Sequence, residues 1–384
     1  MVYILAIILT ALLAFAQTSF LPNAKIEKGA MPLVMEHADS LFAMRKAGHL
    51  FLRGKVKFKH DSIVFRTERA YWNREADAVY GDDGFDFRYP KGSIQASKGS
   101  YTRKNSIAIA EGNAEARDSV GKGAFFGEKI IYDRSLEFLE IPLQPLAHYY
   151  FEEKGKADTL AIRSKTMTYD QRTQIAMAID SVLITRREVV ITGDTGVYNQ
   201  KEGFLILIGK PKCIMSDYTV TGDSMFVKLQ DNEVESVLVI RNAHGMQQTA
   251  AAKGKPSQHS EVFGDTLFLA VKNNKAKSLY VNIDARGLFY EADLPNYVNK
   301  MNGDRLDISF DAGRMKLAEV KGNANSLLFN IGSGRKIDGK NESSGESIFI
   351  TFDSTQVSKI KVNGNLASGI YYDMSKGNKE KEAE

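Results

Sequence analysis

A seven-residue frame recurs along the chain, with a small residue second, polar residues third and fourth, and apolar or aromatic residues fifth and seventh. The clearest copies read T-G-D-T-G-V-Y from Thr192, T-G-D-S-M-F-V from Thr221 and R-S-K-T-M-T-Y from Arg163. Further copies begin at His37, Arg66, Gln95, Phe126, Phe263, Asn302 and Ser344, giving ten units. The small column is Ala38, Thr67, Ala96, Gly127, Ser164, Gly193, Gly222, Gly264, Gly303 and Gly345. A step of 29 residues separates Ala38 from Thr67, Thr67 from Ala96, Ser164 from Gly193, and Gly193 from Gly222. A fixed period of a few tens of residues marks a repeat architecture.

Within a unit the alternation has period two, so positions five and seven share one face of a strand, and that face is the buried one. Position five includes Ile130, Met167, Met225 and Leu267; position seven includes Trp72, Tyr101, Tyr132, Tyr169, Tyr198, Val227 and Leu269. A polar turn follows, such as Asn73-Arg74-Glu75 or Asn199-Gln200-Lys201, and then an apolar return strand such as Phe204-Leu-Ile-Leu-Ile. Several returns end at a glycine (Gly54, Gly112, Gly209), and a third short apolar segment comes after it. Ten such units predict twenty or more strands and no helix: an all-β protein.

The pattern lapses between Asn242 and Ser260, which reads as a polar loop or hinge between a regular block, residues 32–241, and a looser block, residues 261–373. Insertions are expected near Ala292–Lys300 and Ile331–Ser343. The charged tail, residues 374–384, reads as disordered. At the other end, residues 1–16 hold an uncharged apolar run closing on Ala14-Phe15-Ala16, which reads as a secretory signal peptide, with an uncleaved anchor as the alternative. Export makes the lone Cys213 unable to form an intramolecular disulfide.

Composition adds little to this picture. A net charge of +4, with basic residues interspersed among acidic ones, carries no nucleic-acid signature. His37, His49 and His60 match no zinc-ligand spacing, and His244 and His259 fall in the polar stretch. The carboxylates at frame position three (Asp39, Glu68, Asp194, Asp223 and others) fit turn chemistry better than calcium binding or glycoside hydrolysis. No nucleophile–base motif or phosphate loop is present. No cofactor and no enzymatic activity are expected. The apolar columns leave two readings open, a filled core or a groove for an apolar ligand. Gly99 and Gly196, in column five, could leave gaps or match a large residue opposite.

The frame resembles the organic-solvent-tolerance, or OstA-like, family of periplasmic lipopolysaccharide-transport proteins, which includes LptA, LptC and the N-terminal domain of LptD. R-T-E-R-A-Y-W, R-S-K-T-M-T-Y-D and T-G-D-T-G-V-Y-N carry the resemblance, which is clearest from Ala38 to about Arg241. It implies an elongated, twisted β-jellyroll in the periplasm that binds lipopolysaccharide or a similar lipid, its acyl chains held inside. It also implies partners added edge to edge, either other jellyrolls of the Lpt type or a second copy. On that reading the groove is lined by Trp72, Tyr101, Ile130, Tyr132, Met167, Tyr169, Tyr198, Met225, Val227, Leu267 and Leu269. The rivals are an exported β-helix enzyme acting on polysaccharide and a structural or adhesin-type repeat protein with a filled core.

Overall fold

The computed structural model describes residues 31–43, 48–153, 156–230, 233–249, 258–272, 275–291, 294–311, 314–332, 334, 336–353 and 356–374. The apolar run 1–16 and the tail beyond Met374 lie outside them. Twenty-eight strands join in one sheet, every pairing is antiparallel, and no α-helix occurs among the described residues. The expected all-β repeat architecture is therefore present. A parallel β-helix is ruled out by the antiparallel pairing.

The sheet is folded over along its length into two facing layers, because the long strands bend halfway and serve both. His49–His60 pairs through residues 49–53 with 69–73 in the first layer, and through 56–60 with 63–67 in the second. The same division recurs in Ile107–Asp118, Ile175–Arg186, Glu233–Thr249, Lys275–Glu291 and Arg314–Ile331. The frame strands and their returns make the first layer; the segments after the glycine make the second.

The bend has a local cause. Two consecutive residues adopt positive φ at Gly54-Lys55 (80° and 48°), Gly112-Asn113 (80° and 49°), Asp180-Ser181 (63° and 55°) and Gly209-Lys210 (85° and 50°). Arg241-Asn242, Ile283-Asp284 and Gly322-Asn323 repeat it. Left-handed residues reverse the pleat, and glycine adopts them without a Cβ penalty. The glycines that punctuate the sequence are thus corners joining the layers: Gly54 and Gly112 lie within continuous strands, while at Gly209 the return strand ends as expected. The frame completes each corner: the N–H of Asp39 donates to Gly54 O (3.0 Å), that of Ser97 to Gly112 O (2.9 Å) and that of Asp223 to Arg241 O (3.0 Å). The position-three carboxylates sit on the same corners. Glu68 Oε2 accepts from the Lys55 N–H (3.2 Å), and Asn242 Nδ2 donates to Asp223 (3.1 Å). Their chemistry is that of a cross-strand corner rather than of the tight turn ahead of a strand.

The tight turns lie at the opposite ends of the strands. Asn73 Oδ1 accepts from Ala76 N (2.9 Å), Asp133 Oδ1 from Leu136 N (3.1 Å) and Asn199 Oδ1 from Glu202 N (2.9 Å). Each turn closes on a left-handed residue, Asp77, Glu137 or Gly203, so the polar triplets read in the sequence are side-chain-capped turns.

Two expectations change. Asn242–Thr249 and Gln258–Ser260 are not loop: they belong to Glu233–Thr249 and Gln258–Lys272, which pair with each other along their length. What joins them, residues 250–257, lies outside the described residues. The polar composition misled because one face of these strand segments carries His244 and His259 side by side on Glu261 (3.2 and 2.5 Å), the His259 contact chiefly lowering the carboxyl pKa. Gly245 and Met246 border the interior. Likewise Ile337–Ser343, expected as insertion, is strand within Ile337–Asp353. Both layers continue through these residues from one block into the next.

Candidate functional site

The corners close one side of the sandwich, and the turns of the two layers face each other along the other. In the N-terminal part that seam is shut. Asp61, at a second-layer turn, pairs with Arg134 at a first-layer turn, and Lys91 reaches Glu137 at 2.5 Å. His60 Nδ1 lies 2.6 Å from Tyr101 Oη, and Gln171 Nε2 donates to Tyr89 Oη at 3.0 Å. Burial lowers the His60 imidazole from its ordinary value, Arg134 and Arg103 adding to the effect. Behind these contacts the interior is solid with rings. Phe58 meets Trp72 at 5.2 Å, Phe65 meets Phe85 at 5.3 Å, Phe87 meets Tyr101 at 5.4 Å, and Tyr89 stacks on Tyr132 at 4.4 Å. Such contacts add about 0.5–1.5 kcal/mol each beyond burial.

Farther along, the layers part. A cavity of about 370 Å3 opens between them, within the range of small-molecule sites. Its first-layer wall is Tyr198, Leu205, Val227, Leu229, Val234, Leu269 and Val271; the second layer supplies Phe151, Leu160, Ile162, Ile184, Val189, Ile191, Met215 and Tyr218. At the mouth stand Arg186, Arg187, Glu188, Ser216 and Glu233. Asp158, only 9% exposed, holds both arginines at 2.9 Å, and the Arg186 guanidinium lies 4.8 Å from the Phe151 ring centre. A buried carboxylate thereby fixes the rim while the arginine stem extends the apolar wall.

Of the eleven residues the sequence assigned to a groove, Tyr198, Val227 and Leu269 line this cavity. Ile130, Met167, Met225 and Leu267 point inward but are fully buried and outside its lining. Trp72, Tyr101 and Tyr132 belong to the aromatic stack instead. Tyr169 is half-buried against Phe125 (5.1 Å), its hydroxyl donating to Gln200 Oε1 at 3.4 Å. For the four aromatic ones, rings packed against them, not the frame itself, decide where the interior is filled. The second-layer wall went unread, although Leu160-Ala-Ile162 and Val189-Val-Ile191 alternate after the corners as the frame does before them.

The two phenols that line the cavity, Tyr198 and Tyr218, are raised above the ordinary value, chiefly by burial. Cys213 is fully buried with its thiol also raised to about 12 by burial, which suppresses the reactive thiolate. Among the described residues no group of three histidine, cysteine or acidic side chains is placed to hold a metal.

Fold and cavity together define a class: an antiparallel two-layer β-jellyroll enclosing an apolar space of ligand size. No family model matches the chain, and no curated protein matches it. Among solved structures it is similar to LptH from Pseudomonas aeruginosa, described as the LptA homologous periplasmic component of the conserved lipopolysaccharide transport device. The identity is 16% and the TM-score 0.28, over 39% of this chain and 92% of that one.

Proposed function

We propose that this protein is an exported, periplasmic, non-catalytic carrier that binds lipopolysaccharide or a similar lipid by its acyl chains and contributes to lipopolysaccharide transport and outer-membrane assembly. The observation that carries the reading is the apolar cavity of about 370 Å3 with a charged rim, set between the two layers of the sandwich. A charged rim above an apolar pocket suits an amphiphile, head at the mouth and chains inside. Burying six methylenes would be worth about 5 kcal/mol. The OstA-like frame supports the same reading from the sequence side, and with it partners of the same jellyroll type, or a second copy, joined at an edge strand. The outermost strands, Val34–His37 and Ser368–Asp373, each have one neighbour among the described residues, which leaves backbone groups for such an addition.

The test is photo-crosslinking to purified lipopolysaccharide. A photoreactive residue replaces Tyr198 or Leu269, which line the cavity, with exposed Lys201 as control. Capture at the two cavity positions and not at the control is the expected result. Equal capture at all three, or none in a folded protein, would remove the carrier reading.

A further inference from the structure

The cavity does not end where its main volume ends. Beyond Tyr218 lies a second apolar compartment of about 40 Å3, bounded by Val220, Gly245, Val262, Leu279, Phe289 and Ile308. Tyr218 and Leu269 line both spaces. Tyr218 rises from the second-layer strand Tyr218–Thr221. Gln247 Nε2 of the same layer donates to its hydroxyl at 3.1 Å. The ring is therefore held by its hydroxyl at the boundary between the two spaces.

The opposite end of the cavity is shut differently. Tyr198 meets Tyr149 edge-on at 5.6 Å, and Phe125 backs Tyr149 and Tyr169 at 6.4 and 5.1 Å. Behind them come the ring contacts of the aromatic stack. Within the sandwich, the space that adjoins the cavity lies past Tyr218.

We infer that Tyr218 sets the length of acyl chain the interior accepts, as a hydrogen-bonded bar between two apolar compartments. The inference rests on the lipid reading of the cavity. In the wild type a bound chain stops against the ring. Without the ring the compartments join, and further methylenes pass into the space bounded by Val220, Leu279 and Ile308.

Displacement of 1-anilinonaphthalene-8-sulfonate from the full chain by saturated fatty acids of ~8–18 carbons tests this. Each methylene that gains burial raises affinity about 4-fold, and one left in water adds nothing. Wild-type affinity should rise with length and then level off. In Tyr218→Ala the rise should continue for at least two more methylenes, about 15-fold in all. Tyr218→Phe keeps the ring's volume and loses the hydrogen bond from Gln247, so it guards against misfolding. Its plateau should move out by at least one methylene, about 4-fold. The same plateau in all three folded proteins overturns the role of Tyr218 and leaves the carrier reading standing. Failure of every fatty acid to displace the dye from folded wild type removes the lipid reading, and this inference with it.

Discussion

Alanine at Gly222 should destabilise the protein, while alanine at Gly193, in the same T-G-D context one unit earlier, should not. A Cβ at Gly222 would fall 2.2 Å from Val239 Cγ1 and 2.9 Å from Arg241 O. Neither neighbour can give way easily. Val239 is completely buried, and Arg241 is a left-handed corner residue (φ 59°) whose carbonyl already receives the Asp223 N–H at 3.0 Å. Relieving the clash means moving the corner, an overpacking cost of about 1–3 kcal/mol. At Gly193 the nearest atoms would be Ile208 O at 3.4 Å and Leu207 Cδ2 at 3.5 Å, which is ordinary contact. Alanine there removes freedom from the unfolded chain and stabilises by about 0.4–1 kcal/mol. The two variants should therefore differ by about 1.5–4 kcal/mol in urea unfolding followed by far-UV circular dichroism. Equal stabilities, or a Gly193→Ala protein weaker than Gly222→Ala, would refute the close approach at the corner as the reason for the small column.

Two other expectations concern the buried rings. Tyr101→Phe deletes the 2.6 Å contact with His60 and leaves that imidazole buried without its phenol, costing about 1–3 kcal/mol in the same urea titration. Tyr149→Phe should be neutral or stabilising, since the Tyr149 hydroxyl is buried with no hydrogen-bond partner among the described residues; a loss as large as that of Tyr101→Phe would contradict this. The phenols of Tyr89, Tyr101 and Tyr169, raised to about 12 against about 10 in the unfolded chain, keep their protons in the folded state at high pH, so unfolding releases them. Their contribution is complete below pH ~10 and is lost as pH rises toward ~12, so stability should fall across that window. Absorbance at 295 nm should show these phenols ionising together with the loss of circular dichroism; free ionisation near pH ~10 in a folded protein would refute their burial.

The sequence by itself determined the repeat, the strands and the buried face. Alternation along Met167 and Tyr169, or Met225 and Val227, is a property of neighbours on one strand, and a period of two admits one inward face. It also marked the corner glycines, because a left-handed residue is a local demand that composition can satisfy. What those glycines do, bending one strand into two layers, was decided only by pairing between units. So was the fate of each inward residue. Trp72, Tyr132 and Tyr198 occupy the same frame position, yet the first two are packed against Phe58 and Tyr89 while the third faces open space beside Leu205 and Ile184. Whether an interior is full depends on the summed volume of side chains arriving from both layers, and those opposite partners are set by strand register far along the chain. The cavity, its Arg186–Asp158 rim and the bar at Tyr218 exist for the same reason: each is made by residues from strands that only the tertiary fold brings face to face.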